Sequence, residues 1–181
     1  VGYPNNINPL FAMLNAVDAD LPRLVYAGLF KYDTRLNLTP DLVLKYTVDA
    51  NRKLYTFTLK TNLRWADGEP LISDDVGFTL ERLQNTDTKS PLLYGFQNIV
   101  FTKIDDLSFT LELPEPYAPF LHLLTTGLLP EHLWAEIDPA NMKLTTLNLK
   151  PVGAGPFLVS DLTKDSRGVL KTYTLKPNPH Y

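Results

Sequence analysis

A chain of 181 residues with 44% hydrophobic and 11% aromatic content carries enough apolar surface for a packed core, so disorder is excluded and one or two domains are expected. Seventeen basic against twenty acidic side chains leave a net charge of −3 with no basic block, which argues against nucleic acid as a partner. The absence of cysteine removes disulfides, thiolate catalysis and zinc–thiolate sites, and no apolar run approaches the ~20 residues that cross a bilayer.

Asn8 before Pro9 predicts a helix start, because the Asn side chain accepts from orphan N–H groups and proline has none to satisfy. Leu10, Met13, Leu14 and Val17 follow at helical spacing. A second helix is expected from about Leu21, carrying Leu24, Val25 and Leu29 and ending around Gly28-Leu29-Phe30. Thr39 to Leu42 reads as a turn, Val43 to Val48 as extended chain, and Asp49 to Lys53 as the turn that pairs it with Tyr55 to Leu59. In that last segment apolar residues alternate with threonine, the period of a strand with one buried face.

The stretch that follows organises the chain. Asp67-Gly68 then Glu69-Pro70 is turn chemistry, since glycine tolerates positive φ and proline fixes its own. Ser73 is placed to cap a helix, and Asp74 and Asp75 set negative charge against the positive end of its dipole. Val76, Leu80 and Leu83 share one helical face. The expected unit is a strand, a tight turn with Trp65 as its buried anchor, and a capped amphipathic helix.

Asn85 to Ser90 is polar and Pro91 breaks the chain, so Leu92 to Phe96 places large apolar residues in a loop. Val100 to Ile104 and Leu107 to Leu113 flank a turn at Asp105-Asp106 and predict a second hairpin. Tyr117, Phe120, Leu121 and Leu124 sit at helical spacing after Pro116, and a further helix with Glu131, His132, Leu133 and Trp134 follows Pro130. Asp138 to Lys150 reads as a polar surface loop. Two glycines in Pro151 to Pro156 permit the close approach of another segment, and no Lys-Ser/Thr follows, so this is not a phosphate loop. Phe157 to Asp161 and Leu170 to Lys176 predict a last antiparallel pair.

Catalytic patterns are poorly supported. Asp74 and Asp75 are neighbours on one helix and point about 100° apart, so they form no carboxylate dyad. His122, His132 and His180 have no metal-ligand spacing, and no Gly-x-Ser-x-Gly marks a nucleophile. An enzyme is therefore not expected, and no cofactor is implied.

Tyr55 to Lys60, then Trp65 to Leu71, then Asp74-Asp75-Val76 with Phe78-Thr79-Leu80 form an ordered set. It resembles the signature of the bacterial extracellular solute-binding proteins of family 5, the peptide and nickel binding components of ABC importers. Ile7-Asn8-Pro9, Tyr26 to Leu29, Pro116 to Leu121, the run into Pro130 and Pro151 to Pro156 are similar to family elements too. Two positions depart: Ala27 stands where an acid is usual and Ala154 where threonine is common.

The resemblance implies an α+β, periplasmic-binding-protein-like (type II) fold. Residues 1–39 and 151–181 would form part of a first lobe with a mixed sheet, and 40–150 an inserted, smaller β-rich domain. The second lobe is expected to be absent, the chain being an N-terminal part of a longer secreted or lipid-anchored protein in the periplasm or outside the cell. The implied function is capture of a peptide or related solute, a nickel chelate included, by a monomer that closes about a hinge and delivers to a membrane permease. A sensory or regulatory protein on the same fold is the alternative.

The resemblance also points to ligand contacts. These are Met13, Leu14 and Asn15 beyond the first proline, Leu92 and Tyr94 after Ser90-Pro91, and Thr125 and Thr126 before Pro130. For each the structural alternative stays open: Met13 and Leu14 as core with Asn15 solvated, Tyr94 packed on its own lobe, and the threonines bonded to their own loop.

Overall fold

The computed structural model describes residues 7–14, 16–167 and 170–181; the side chains of residues 13, 14 and 16–19 lie outside that description. The chain opens with a 3₁₀ turn, Pro9–Leu14, started by Asn8, whose Oδ1 accepts from the Leu10 N–H at 2.9 Å. Helix α1 (Ala16–Val25) follows. It begins five residues before the expected Leu21 and contains Pro22. It also ends earlier than expected, leaving Leu29 buried beyond it. The reason is that the next carbonyls serve other segments. Val25 accepts from Gly155 N–H at 2.8 Å, Ala27 from Leu128 at 3.0 Å and Gly28 from Leu42 at 3.3 Å.

Strands β1 (Phe30–Tyr32) and β2 (Leu38–Pro40) form a small antiparallel hairpin around Asp33, whose Oδ1 accepts from the N–H groups of Arg35 and Asn37. Thr39-Pro40 therefore ends a strand where a turn was expected. Strands β3 (Val43–Val48), β4 (Leu54–Leu59), β5 (Val100–Lys103) and β6 (Ser108–Glu112) build a four-stranded sheet in the order β3-β4-β6-β5. Both expected hairpins are present. Threonine alternates with Tyr55, Phe57 and Leu59 on β4, so the face carrying these three side chains is buried, while Leu54 lies exposed on the other. Phe57 stacks on Phe109 with ring centroids 5.4 Å apart. Every strand pairing among the described residues is antiparallel, four of them through direct hairpins and β4 with β6 across a long connection, and the parallel pairs a mixed sheet would add are not among them.

Helix α2 (Ser73–Gln84) packs Val76, Leu80 and Leu83 into the core, the face expected from their spacing. Its cap differs from expectation. Ile72 is the N-cap residue, and Asp75 reaches back to accept from the Ile72 N–H at 2.9 Å. Ser73 instead donates its hydroxyl to the Asp105 carbonyl, tying the helix to the second hairpin. Asp75 is buried and also accepts from the Glu131 N–H at 2.9 Å and from Trp65 Nε1 at 3.3 Å. Trp65 is fully buried, as the turn-anchor reading required.

Three short helices follow: α3 (Leu93–Phe96), in place of the expected loop, α4 (Phe120–Leu123) and α5 (Glu131–Trp134). The segment expected as a surface loop after Asp138 is anchored instead. Met142 and Asn148 are buried, Asn148 Nδ2 donates to the Met142 carbonyl, and the Asn148 carbonyl accepts from the Ile7 N–H at 3.0 Å. A single inserted side chain has no period to betray it in sequence. The glycines at 153 and 155 allow the close approach expected of them, since a Cβ on Gly155 would stand 2.7 Å from the Val25 carbonyl. The chain closes with the hairpin β7 (Phe157–Lys164) and β8 (Leu170–Pro177), longer than expected.

Candidate ligand-binding wall

Two neighbouring concavities run across one side of the molecule. The first, about 190 Å³, lies where Pro9 and Ala12, the end of α1, Leu92 and the segment Thr125 to Gly127 meet. The second, about 600 Å³, lies between the end of α1, strand β1 and Tyr181. Arg23, Tyr26 and Thr125 line both, so the two form one continuous wall.

Backbone bonds hold this wall in shape. Phe30 N–H donates to the Leu124 carbonyl at 3.1 Å and Leu128 N–H to that of Ala27 at 3.0 Å, which fastens residues 124–128 against residues 27–30. Gly127 is required there, because a Cβ would come within 2.6 Å of the Tyr26 Cβ and 3.1 Å of the Pro9 Cβ. Ser90 sets the third side. Its buried hydroxyl donates to the Leu10 carbonyl at 2.7 Å and accepts from the Leu92 N–H at 3.2 Å, presenting Leu92 to the first cavity.

The polar groups of the wall fall into two kinds. Some are paired: Lys31 Nζ stands 2.9 Å from both Asp41 Oδ1 and the Tyr181 hydroxyl, and these partners hold its ammonium above the usual lysine range. The Tyr32 hydroxyl meets His122 Nδ1 at 2.7 Å with the rings stacked, and Thr125 Oγ1 donates to the His122 carbonyl at 2.8 Å. Others are unpaired among the described residues. The Tyr26 hydroxyl is buried without a hydrogen-bond partner, and burial pushes its pKa well above the ordinary tyrosine value. The exposed Arg23 guanidinium makes no ion pair and no hydrogen bond.

Of the residues expected at a ligand, Leu92, Thr125 and Thr126 are brought together in the first cavity. Tyr94 is not with them: it is 85% exposed on α3 and borders a separate cavity of about 340 Å³ with Tyr117 and Pro116. Asn15 and the side chains of Met13 and Leu14 lie outside the described residues. Sequence reasoning missed Arg23, Lys31, Tyr32 and Tyr181. Tyr26 carried a usable signal, since a large ring followed by Ala27 and Gly28 marks a place where backbones crowd together.

The acidic pair has two separate jobs. Asp74 bonds Lys103 Nζ at 2.7 Å on the surface, while Asp75 serves the buried N–H donors described above. The histidines are likewise dispersed: His122 on Tyr32, His132 on Asp67 at 2.9 Å, and His180 beside Gly68. No helix among the described residues is long and apolar enough to cross a membrane.

The pattern of the bacterial extracellular solute-binding proteins, family 5 (Middle), matches residues 37–181. The chain belongs to this family. Within family 5 it is 31% identical over 186 residues to an ABC transporter peptide-binding protein of Brucella ovis, covering 99% of this chain and 33% of that protein. It is 31% identical over 189 residues to the dipeptide-binding protein of Escherichia coli, covering 92% of this chain and 35% of that protein. The chain thus spans about a third of the length of the relatives it matches. The crystal structure of NikZ from Campylobacter jejuni in complex with Ni(L-His) superposes with a TM-score of 0.85 at 28% identity, covering 99% of this chain and 34% of that one. The oligopeptide-binding protein AppA of Bacillus subtilis, solved with a nonapeptide, shares the fold with a TM-score of 0.85 at 24% identity. The family 5 fold is periplasmic-binding-protein-like, so the α+β class read from the sequence holds, and the family is one of solute-binding proteins.

Proposed function

We propose that this chain is part of the substrate-binding component of an ABC importer and supplies one wall of its ligand cleft. The solute is a peptide or a related small molecule, with a metal chelate in the same chemical range. It is captured outside the cytoplasmic membrane, in the periplasm or at a lipid-anchored surface, and handed to a permease without chemical change. Residues 1–39 with 151–181 belong to the first lobe and 40–150 to a smaller inserted domain. The backbone bonds between Gly155 and Val25 and between Ala66 and Gly153 support a crossing at that junction.

The observation that carries the reading is the concave wall itself, where segments from residues 9–12, 23–32, 92 and 125–127 converge with solvent-facing polar groups. Ligand contacts on this wall and on an opposing lobe would favour the closed arrangement over the open one, which is how binding drives hinge closure. Native mass spectrometry of the intact protein purified from its host tests this. A bound peptide or chelate that leaves on mild activation is the expected result. Protein that carries nothing and binds no member of a di- to nonapeptide mixture overturns it.

A further inference from the structure

The two concavities share Arg23, a cation without a partner among the described residues. Lys31 is neutralised by Asp41, the acidic side chain of this wall, at 2.9 Å. Arg23 has no such partner among the described residues, and Asp20, one turn earlier on α1, makes no ion pair with it. A guanidinium presents a planar fork of donors and keeps its charge at any physiological pH. Thr126 lines the same first cavity, and its hydroxyl has no hydrogen-bond partner among the described residues.

We infer that Arg23 and Thr126 form a subsite for a carboxylate on the solute. This inference rests on the solute-capture reading above and adds the chemistry of the ligand. One guanidinium and one hydroxyl on the same cavity wall complement a single negative charge that accepts two parallel N–H bonds, the geometry of a carboxylate. A doubly charged phosphate would leave charge unmatched here. Leu92, Pro9 and Pro22 supply apolar sides of the cavity against which the rest of the solute can pack. The carboxylate belongs either to the C-terminus of a peptide or to an acidic side chain, and the two sources are separable.

The test is calorimetric titration of the intact protein at low salt with four probes. Ala-Ala-Ala and its C-terminal amide report on the terminal carboxylate, and the amides of Ala-Glu-Ala and Ala-Gln-Ala report on the side chain. Hydrogen bonds to a charged group contribute about 1.5–3 kcal/mol, so the acid member of one pair binds roughly tenfold or more tighter than its neutral twin. Arg23→Gln removes that preference by weakening only the acid, and Arg23→Lys, which keeps the charge but not the fork, retains part of it. Thr126→Val lowers the preference by a smaller factor. Because Arg23 is exposed and unpaired among the described residues, melting temperatures of its variants stay at the wild-type value. Equal affinity for both members of each pair, or a preference that survives Arg23→Gln, overturns the inference and leaves the capture reading standing. Binding of none of the probes, nor of any other peptide, overturns both.

Discussion

The turn around Trp65 and the wall around Tyr26 are built from similar materials to opposite ends. Each places a large aromatic ring against a crowded backbone, with glycines at the crossings. At Trp65 every polar group nearby is satisfied: the indole N–H reaches Asp75, and the Asp75 carboxylate serves two further backbone donors on separate segments. Among the described residues, the Tyr26 hydroxyl has no partner and the neighbouring Arg23 is unpaired. A dry, closed network is what a core needs, since each unmet buried group costs stability. Unmet groups along a concave surface are what remains when part of a site is supplied by something else.

The sharpest way to break the comparison is to truncate each side. Trp65→Ala removes a fully buried side chain and is expected to lower stability by ~3–5 kcal/mol, read as a fall in the urea midpoint of the intact protein. Next comes Asp75→Asn, which replaces an acceptor-only group by one that presents N–H donors to N–H donors. A loss of about 1–3 kcal/mol is expected near neutral pH. This loss depends on pH in a defined direction. Burial outweighs the three N–H donors and holds the Asp75 carboxyl above its ordinary value of 3.8, so the folded chain keeps this proton longer than the unfolded one. The part of the stability linked to this proton is therefore fully present below pH 3.8 and is lost as pH rises through the folded-state pKa, while the bonds to the N–H donors remain. Denaturation of both forms across that range measures it, and the wild-type advantage over Asp75→Asn should narrow as pH rises.

On the wall the effects are smaller and of the other sign. Tyr26→Phe deletes a hydroxyl without a partner, so stability is unchanged or rises by up to ~1 kcal/mol, where the same deletion from a bonded tyrosine would destabilise. A clear loss in the urea midpoint would mean that the hydroxyl is bonded in the intact protein. Smallest of all is Tyr94→Ala. The side chain is 85% exposed and stands outside the wall, and neither melting temperature nor peptide affinity should move.

The parts of this fold that were legible in the sequence are those with a period. The alternation at Tyr55 to Leu59 and at Leu107 to Leu113 gave two hairpins, and Val76, Leu80 and Leu83 gave the buried face of α2. What escaped was set by contacts distant in sequence. Asp75 took the capping role from Ser73 because Asp105 offered Ser73 another acceptor, and Asn148 was drawn inward by partners at residues 7 and 142. The wall was legible only in part. Leu92, Thr125 and Thr126 came from the family resemblance, and they do share a cavity. Arg23 did not, because its lack of a partner among the described residues shows only in three-dimensional placement.

Amide hydrogen exchange on the intact protein, with and without a saturating peptide, tests the central claim most directly. If the concave wall is the ligand surface, added peptide slows exchange at Leu10 to Ala12, Arg23 to Tyr32, Leu92 and Thr125 to Gly127, and leaves the amides around Tyr94 and Tyr117 as they were. Protection confined to the Tyr94 side, with the wall unchanged, would contradict it.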